Sequence, residues 1–502
     1  MATVFAEYSK DRVGWIFGLT APQAVSVILT GLPVLAAFQR KDWPLLGGML
    51  AVWALSCVLI VVPIHGRSAT GWLLASLKFA VGSLAGWTSF RSKASKGAID
   101  KLSTPDLPGV LSQVSIHDGP PTGPYQRRIA LVQHHASRTW AVTAQVVHGG
   151  ITTADADERD RLARGLTEML DAGSRTDLIS EVLFMVRTVP EDGAARAEYL
   201  QAHRKPGGLD VVRQINDEMA ATLTRAAVRS EQFVTLVVPE NKLAKVAKET
   251  GGGIDGRGRA LYLLMGEVEA HLRGSIEMAD VRWLTSPELA AAVRTGFAPG
   301  DSASITAAVL EAEKDPNVNA DVPWAMAGPS GADSAMRHYS HDAWNSISTT
   351  IRLPDKGAVM GALAPVLFPP ADGERRSLLV AFPVMDQDKA EKQANAAQWG
   401  ADMSEGLKEK LGVRTDARGR RQIARTRSMD ENLARGNAMI RPYAIATVTV
   451  PKTLRVAEYG RRLDSSIRRA GFASMRLDLV QDAAFCASSV PLGVSLTRSR
   501  EA

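Results

Sequence analysis

Two cysteines in 502 residues, Cys57 and Cys486, are too few for a disulfide framework or a thiolate metal cluster. The dipeptide Gly-Lys occurs nowhere, so no GxxxxGK[ST] phosphate loop can form, and nucleotide hydrolysis by that route is excluded. No GxSxG turn is present to expose a nucleophilic serine. Aromatic residues make up 6% of the chain, and none falls between Arg414 and Arg441. Proteins that bind single-stranded nucleic acid need stacking platforms amid such arginines, so nucleic acid is not an expected partner. Charge is absent from two long stretches, Trp15 to Phe38 and Trp43 to Ile64.

Each uncharged stretch approaches the ~20 residues that a helix needs to cross a bilayer. The second is the stronger, with Leu45, Met49, Leu50, Val52, Leu55, Val58, Leu59, Ile60, Val61 and Val62. The first carries Pro22, Pro33 and several hydroxyl or amide side chains. A third stretch, Ser68 to Phe90, spaces Leu73, Leu77, Leu84 and Trp87 near the helical period around Lys78. It predicts an amphipathic helix lying on the membrane surface. Trp15, Trp43, Trp72 and Trp87 are the expected interface residues, because indoles favour the headgroup boundary.

Residues 1 to 101 hold 10 Lys/Arg and 4 Asp/Glu, which leaves 49 and 49 of the chain's 59 and 53 for the remainder. The whole net charge of +6 therefore lies in the first hundred residues. Arg91, Lys93, Lys96 and Lys101 follow the third stretch, and the positive-inside rule puts them in the cytoplasm. A two-helix hairpin returns the N-terminus to the same side. Arg40 and Lys41 in its loop argue for the alternative, a hairpin that dips into the bilayer without crossing. The mixed charge before Trp15 and the lack of a small-residue cleavage site exclude a cleaved signal peptide.

Composition breaks give the expected organisation: a membrane anchor over 1–100, a linker over 101–125, an α+β domain over 126–300, a linker over 301–337 and a second α+β domain over 338–502. Arg128 to Gln133 and Thr139 to Val147 read as strands, with Trp140, Val142, Ala144 and Val146 alternating on one face. A helix opens at Thr153-Ala154-Asp155 and ends at Gly173. Leu178 to Val189 is a strand, Leu209 to Ser230 a helix, Phe233 to Val238 a strand and Arg259 to Leu272 a helix. The second half repeats the style. Its strands are Ser346 to Leu353, Arg376 to Pro383, Tyr443 to Val450 and Met475 to Val480. Its helices are Val359 to Leu367, Gln387 to Leu411 and Thr453 to Ala470. Compact strand–helix–strand connections suit ferredoxin-like α/β sandwich domains, mostly antiparallel, and the first half reads as a second copy of the same design.

No catalytic, cofactor-binding or metal-binding residue is identified. Gly251, Gly253 and Gly256 satisfy GxGxxG, but Glu240 to Thr250 before them reads as helix where a dinucleotide site needs a strand. His338, His341 and Asp342 lack a further zinc ligand at a fixed spacing. Residues 414 to 502 carry 17 basic and 8 acidic side chains, with Arg414, Arg418, Arg420, Arg421 and Arg425 at their front. A solvated loop or an acidic partner accounts for such a run.

The stretch Gln481-Asp-Ala-Ala-Phe485-Cys-Ala-Ser-Ser-Val-Pro491-Leu-Gly493 resembles the end of the non-motor half of the assembly ATPases of type IV secretion and conjugation. Glu431-Asn-Leu-Ala-Arg-Gly436 and Tyr443 to Val450 look like its approach. The front end resembles the PrgI-type proteins of conjugation systems, and the overall layout is similar to EccE of actinobacterial type VII secretion. The resemblance implies a structural subunit in the bacterial plasma membrane, with two spans and a cytoplasmic body. Its implied partners are a separate motor ATPase, a multispanning channel subunit and membrane lipid, in a multiprotein complex. Arg414, Arg418, Arg420, Arg421, Arg425, Phe485 and Pro491 are the expected docking residues. The alternatives are an EccE-like translocon subunit and a membrane-tethered enzyme with a scattered site.

Overall fold

The computed structural model describes residues 21–39, 41–61, 63–64, 67–98, 101–151, 154–190, 199–200, 203, 209–226, 228–352, 358–369, 373–385, 390, 431 and 437–496. The chain divides into two compact units, one within Phe5–Ala85 and Gln387–Met439, the other chiefly Gly86–Asp386 with Ile440–Ala502.

The first unit contains α1 (Ala21–Gln39), α2 (Trp43–Val61), the short pair β1 (Pro63–Ile64) and β2 (Arg67–Ser68), and α3 (Ala69–Leu84). Gly31 lets α1 approach α2: a Cβ there would lie 3.1 Å from Trp53 Nε1, which donates to the Val27 carbonyl at 3.1 Å. Among the described helices only α2 is long and apolar enough to cross a bilayer, over Trp43–Ile60, with mean hydropathy 1.9 and 6% of it buried. The apolar part described in α1, Ser26–Gln39, is shorter. Trp15 and the rest of residues 15–20 lie outside the described residues.

The second unit runs β3 (Ser89–Arg91), β4 (Val114–Thr122), β5 (Arg127–His134), β6 (Thr139–Val147), α4 (Ala156–Arg175), β7 (Glu181–Pro190), α5 (Asp210–Ala226) and β8 (Val228–Pro239). Next come α6 (Glu240–Glu249), α7 (Gly253–Gly274), β9 (Asp280–Trp283), α8 (Ser286–Phe297), α9 (Ser302–Lys314) and α10 (Trp324–Ala327). It closes with β10 (Gly331–Ser334), β11 (Tyr339–His341), β12 (Trp344–Arg352), α11 (Ala364–Leu367), β13 (Arg375–Pro383), β14 (Tyr443–Pro451), α12 (Val456–Arg469), β15 (Ala473–Arg476) and α13 (Gln481–Ser489). Local chemistry sets several boundaries. Asp155 caps α4 by accepting the Glu158 amide at 2.8 Å, and the Glu288 carboxylate accepts the Thr285 amide at the start of α8 at 2.8 Å.

The chain is a mixed α+β protein with one large antiparallel sheet. Its 13 strands run β3-β10-β11-β12-β14-β13-β7-β8-β6-β5-β4, with β15 also on β12 and β9 also on β6. One strand order therefore occurs twice: β9-β6-β8-β7 and β15-β12-β14-β13. In each set a helix links the first two strands, the third strand lies between them, and a fourth follows further helix, α6 and α7 in one set and α12 in the other. The sets meet where Glu181–Arg187 of β7 pairs with Ser377–Pro383 of β13. Side-chain alternation along this pair feeds two cores. Met185 and Leu379, directly opposite each other, join α8, α13 and Val490, Leu492 and Val494 on one face. Val182 and Leu378 point to the other face, covered by α4, α6 and α7 over one set and by α11 and α12 over the other.

Several expectations are corrected here. The segment read as a linker over 301–337 holds α9, α10 and β10, and β10 pairs with both β3 and β11. The blocks 126–300 and 338–502 thus share one sheet. Residues 101–125 hold β4, and Leu107, Leu111 and Val114 are buried. Pro120 and Pro121 hid that strand. It lies at the end of the sheet and its register shifts between Asp118 and Pro121, where proline is tolerated. The helix expected to reach Ser230 ends at Ala226, and β8 starts at Val228. The expected helix at 359–367 is only Ala364–Leu367, and the expected strand 475–480 ends at Arg476 before α13. The expected helix 387–411 lies outside the described residues apart from Ala390.

Candidate functional site

The C-terminal motif is internal. Gln481 acts as a substitute strand: its Oε1 accepts from the Ser348 amide at 2.7 Å and its Nε2 donates to the Ser348 carbonyl at 3.2 Å. Ser348 lies where the partner of β12 changes, after its pairing with β11 ends at Ser346 and before its pairing with β15 begins at Thr349. The Phe485 ring is fully buried, with centroids 4.3 Å from His341, 5.2 Å from Tyr339 and 5.5 Å from Phe297. Beyond α13 the chain crosses to the other strand set. Pro491 offers its carbonyl to Thr143 Oγ1 at 2.9 Å, and Leu492 offers its own to His134 Nε2 at 2.6 Å. A Cβ on Gly493, at φ +79°, would lie 2.7 Å from the Ala141 Cβ. Phe485 and Pro491 therefore stitch the two sets together, and neither is a docking surface.

The charged centre of the second unit lies beside this seam. The Arg187 side chain is fully buried. Its Nε donates to Glu231 at 2.6 Å, its Nη1 to the carbonyls of Ala292 and Ser489, and its Nη2 to Thr295 Oγ1 at 2.7 Å. Ser489 ends α13, where a cation is favoured by unpaired carbonyls and the helix dipole, whereas Ala292 lies mid-way along α8 and its carbonyl also accepts from Thr295 Oγ1 at 3.2 Å. Arg375 donates to the Thr295 carbonyl at 2.6 Å. Burial first, and then the neighbouring Arg187, pull the Arg375 pKa down to about 9. Burial alone would raise the Glu231 carboxyl, but Arg187 and Arg375 hold it below its ordinary range. Three guanidiniums, those of Arg187, Arg375 and Arg229 (3.3 Å from Glu231), thus act on one carboxylate.

His341 closes a buried hydroxyl chain. Its Nδ1 bonds the Phe297 carbonyl at 2.6 Å, which makes Nδ1 the protonated nitrogen. Nε2 then accepts from Ser346 Oγ at 2.8 Å, and Ser346 Oγ lies 2.7 Å from Thr449 Oγ1. A serine on an imidazole is the geometry of an activated nucleophile, but Ser346 and His341 are both fully buried, out of reach of a substrate. Burial pulls the His341 pKa down to about 3. A free histidine titrates near 6.5, so the unfolded chain takes up a proton first, and the stability from neutral His341 is lost as pH falls from 6.5 towards 3. The expected loss at pH 5 is about 2 kcal/mol. Thermal melts from pH 7 to pH 5 check this, with His341→Gln expected to flatten the slope.

Among the described residues no three His, Cys, Asp or Glu side chains come together as a metal site. Asp342 instead accepts the Ser330 amide at 2.7 Å. Of the glycines of the GxGxxG pattern, Gly251 lies in the turn between α6 and α7, Gly253 opens α7 and Gly256 falls in its first turn. Gly251 and Gly253 have positive φ, and a Cβ on Gly256 would lie 2.6 Å from the Ala247 carbonyl. That is a packing role.

Of the expected interface residues, Trp43 is 70% and Trp87 78% exposed, whereas Trp72 is half-buried. Arg414, Arg418, Arg420, Arg421 and Arg425 lie outside the described residues. Sequence reasoning missed Arg187. The signal was a lone charge in the apolar run Val182 to Val189. It also missed Val81, which completes an exposed stripe of Leu73, Leu77, Val81 and Leu84 along α3. No family model and no curated protein matches the chain.

Proposed function

We propose that this chain is a membrane-anchored structural subunit of a bacterial secretion or conjugation apparatus, whose cytoplasmic body docks a separate motor ATPase. The observation that carries the anchoring is α2. Its apolar span is 6% buried and leaves Leu50, Val52, Leu55 and Val58 half or more exposed, a surface suited to acyl chains. On α1, Ile28, Leu29, Leu32, Leu35 and Phe38 are similarly bare, in keeping with a second span. The stripe on α3, spaced four, four and three residues apart, fits a helix lying in the interface. The repeated strand order with helices on one face supports two ferredoxin-like domains fused edge to edge.

The apparatus role rests on the resemblance of the C-terminal stretch. In keeping with a scaffold, His341, Ser346 and Cys486 are buried in the core of the body. Carbonate washing of native membranes is expected to leave the chain in the pellet, and recovery in the supernatant would overturn the anchor. Affinity purification from those membranes is expected to bring an ATPase with it. Repeated recovery without one would remove the docking role and leave the anchor standing.

A further inference from the structure

We propose that one edge of the second unit, Trp87 to Ala98 together with Lys101, rests on the headgroups of anionic lipid. The proposal builds on the membrane anchoring and names the lipid class and the surface that meets it. Among the described residues β3 is the last strand of the sheet on its side and pairs only with β10. The segment after it carries Lys93, Lys96 and Lys101, all exposed. Two nearby acids, Asp333 and Asp106, are engaged, and Asp100 lies outside the described residues. Arg91 holds Asp333 through two bonds of 3.2 Å, and the Lys93 amide binds Asp106 at 2.5 Å. Among the described residues none of the three lysines forms an ion pair. Lys452, also exposed, adds its field to the same end of the sheet by acting on Asp333.

Apolar side chains accompany these charges. Trp87 is 78%, Leu102 57% and Met336 50% exposed. Leu102 is held in place by its carbonyl, which accepts the Ala325 amide at 3.1 Å, and Met336 by its own, which accepts the Leu479 amide at 2.7 Å. An indole with aliphatic tips among lysines is the chemistry of the bilayer interface. Connectivity limits the distance, since Trp87 follows the last residue of α3 by only three positions. Charge selects the lipid: the chain's whole positive excess lies in residues 1 to 101, and each lysine near an anionic leaflet adds to the attraction. Lysines on an edge strand also deter strand addition. Only the lipid contact, however, depends on headgroup charge.

The test uses the full chain in nanodiscs of phosphatidylcholine with 30% phosphatidylglycerol, with photoactivatable lipids mapped by mass spectrometry. Headgroup-labelled phosphatidylglycerol is expected to crosslink residues 87–98 and 101 about tenfold more than headgroup-labelled phosphatidylcholine. The preference should vanish in Lys93→Glu/Lys96→Glu/Lys101→Glu. Acyl-chain probes should label α2 equally in both proteins, which shows that the variant is still inserted. If α2 is labelled but this edge is not, or takes both headgroups equally, this inference fails alone. If α2 is unlabelled as well, the anchoring fails with it.

Discussion

Ending the chain after Val480 is expected to abolish the folded second unit. The cut removes Gln481, which completes β12, and Ala484, Phe485, Cys486, Ala487, Val490 and Leu492, each 1% exposed or less. Phe485→Ala alone should cost about 3–5 kcal/mol, as a large aromatic leaves a core whose neighbours close only partly over the space. That is a large share of the ~5–15 kcal/mol that holds a typical domain. Limited proteolysis of the detergent-solubilised chain checks it. Full-length protein should give resistant fragments from within Gly86–Asp386 and from Ile440 onward, and the truncated protein none. Phe485→Leu should keep the fragments. A truncated chain with the same resistant fragments and a cooperative melt would show that the seam is dispensable.

The second large effect is at Arg187. Arg187→Met should lower stability by about 3–5 kcal/mol, because it leaves the Glu231 carboxylate and the carbonyls of Ala292 and Ser489 without their shared donor. Its sign separates it from a simple packing loss. Adding Glu231→Leu should recover part of the deficit, since a carboxylate left with the half-exposed Arg229 as its ion-pair partner is then gone. Denaturant midpoints for wild type, both single variants and the double variant give the coupling. Strict additivity would mean that the ion pair contributes nothing beyond its volume.

Most elements of the body were legible because their patterns are local. The alternation of Trp140, Val142, Ala144 and Val146 gives β6, and the Asp155 cap with Leu162, Met169 and Leu170 gives α4. What stayed hidden depends on distant partners. β10 is four residues long and exists because β3 and β11 flank it, more than two hundred residues away in the case of β3. The glycines and prolines around it mark turns, and a turn inside a sheet looks the same in sequence as a tether between domains. Phe485 illustrates the limit for sites. A motif near a chain end suggested a surface, but the residues that enclose Phe485 lie far back in the chain, at Phe297, Tyr339 and His341.

The union of β7 and β13 has a mechanical consequence. Seven successive residue pairs, backed on one face by helices from both strand sets, leave no slack joint midway along the body. Torque applied at the β3 end would pass to the β4 end through this paired seam.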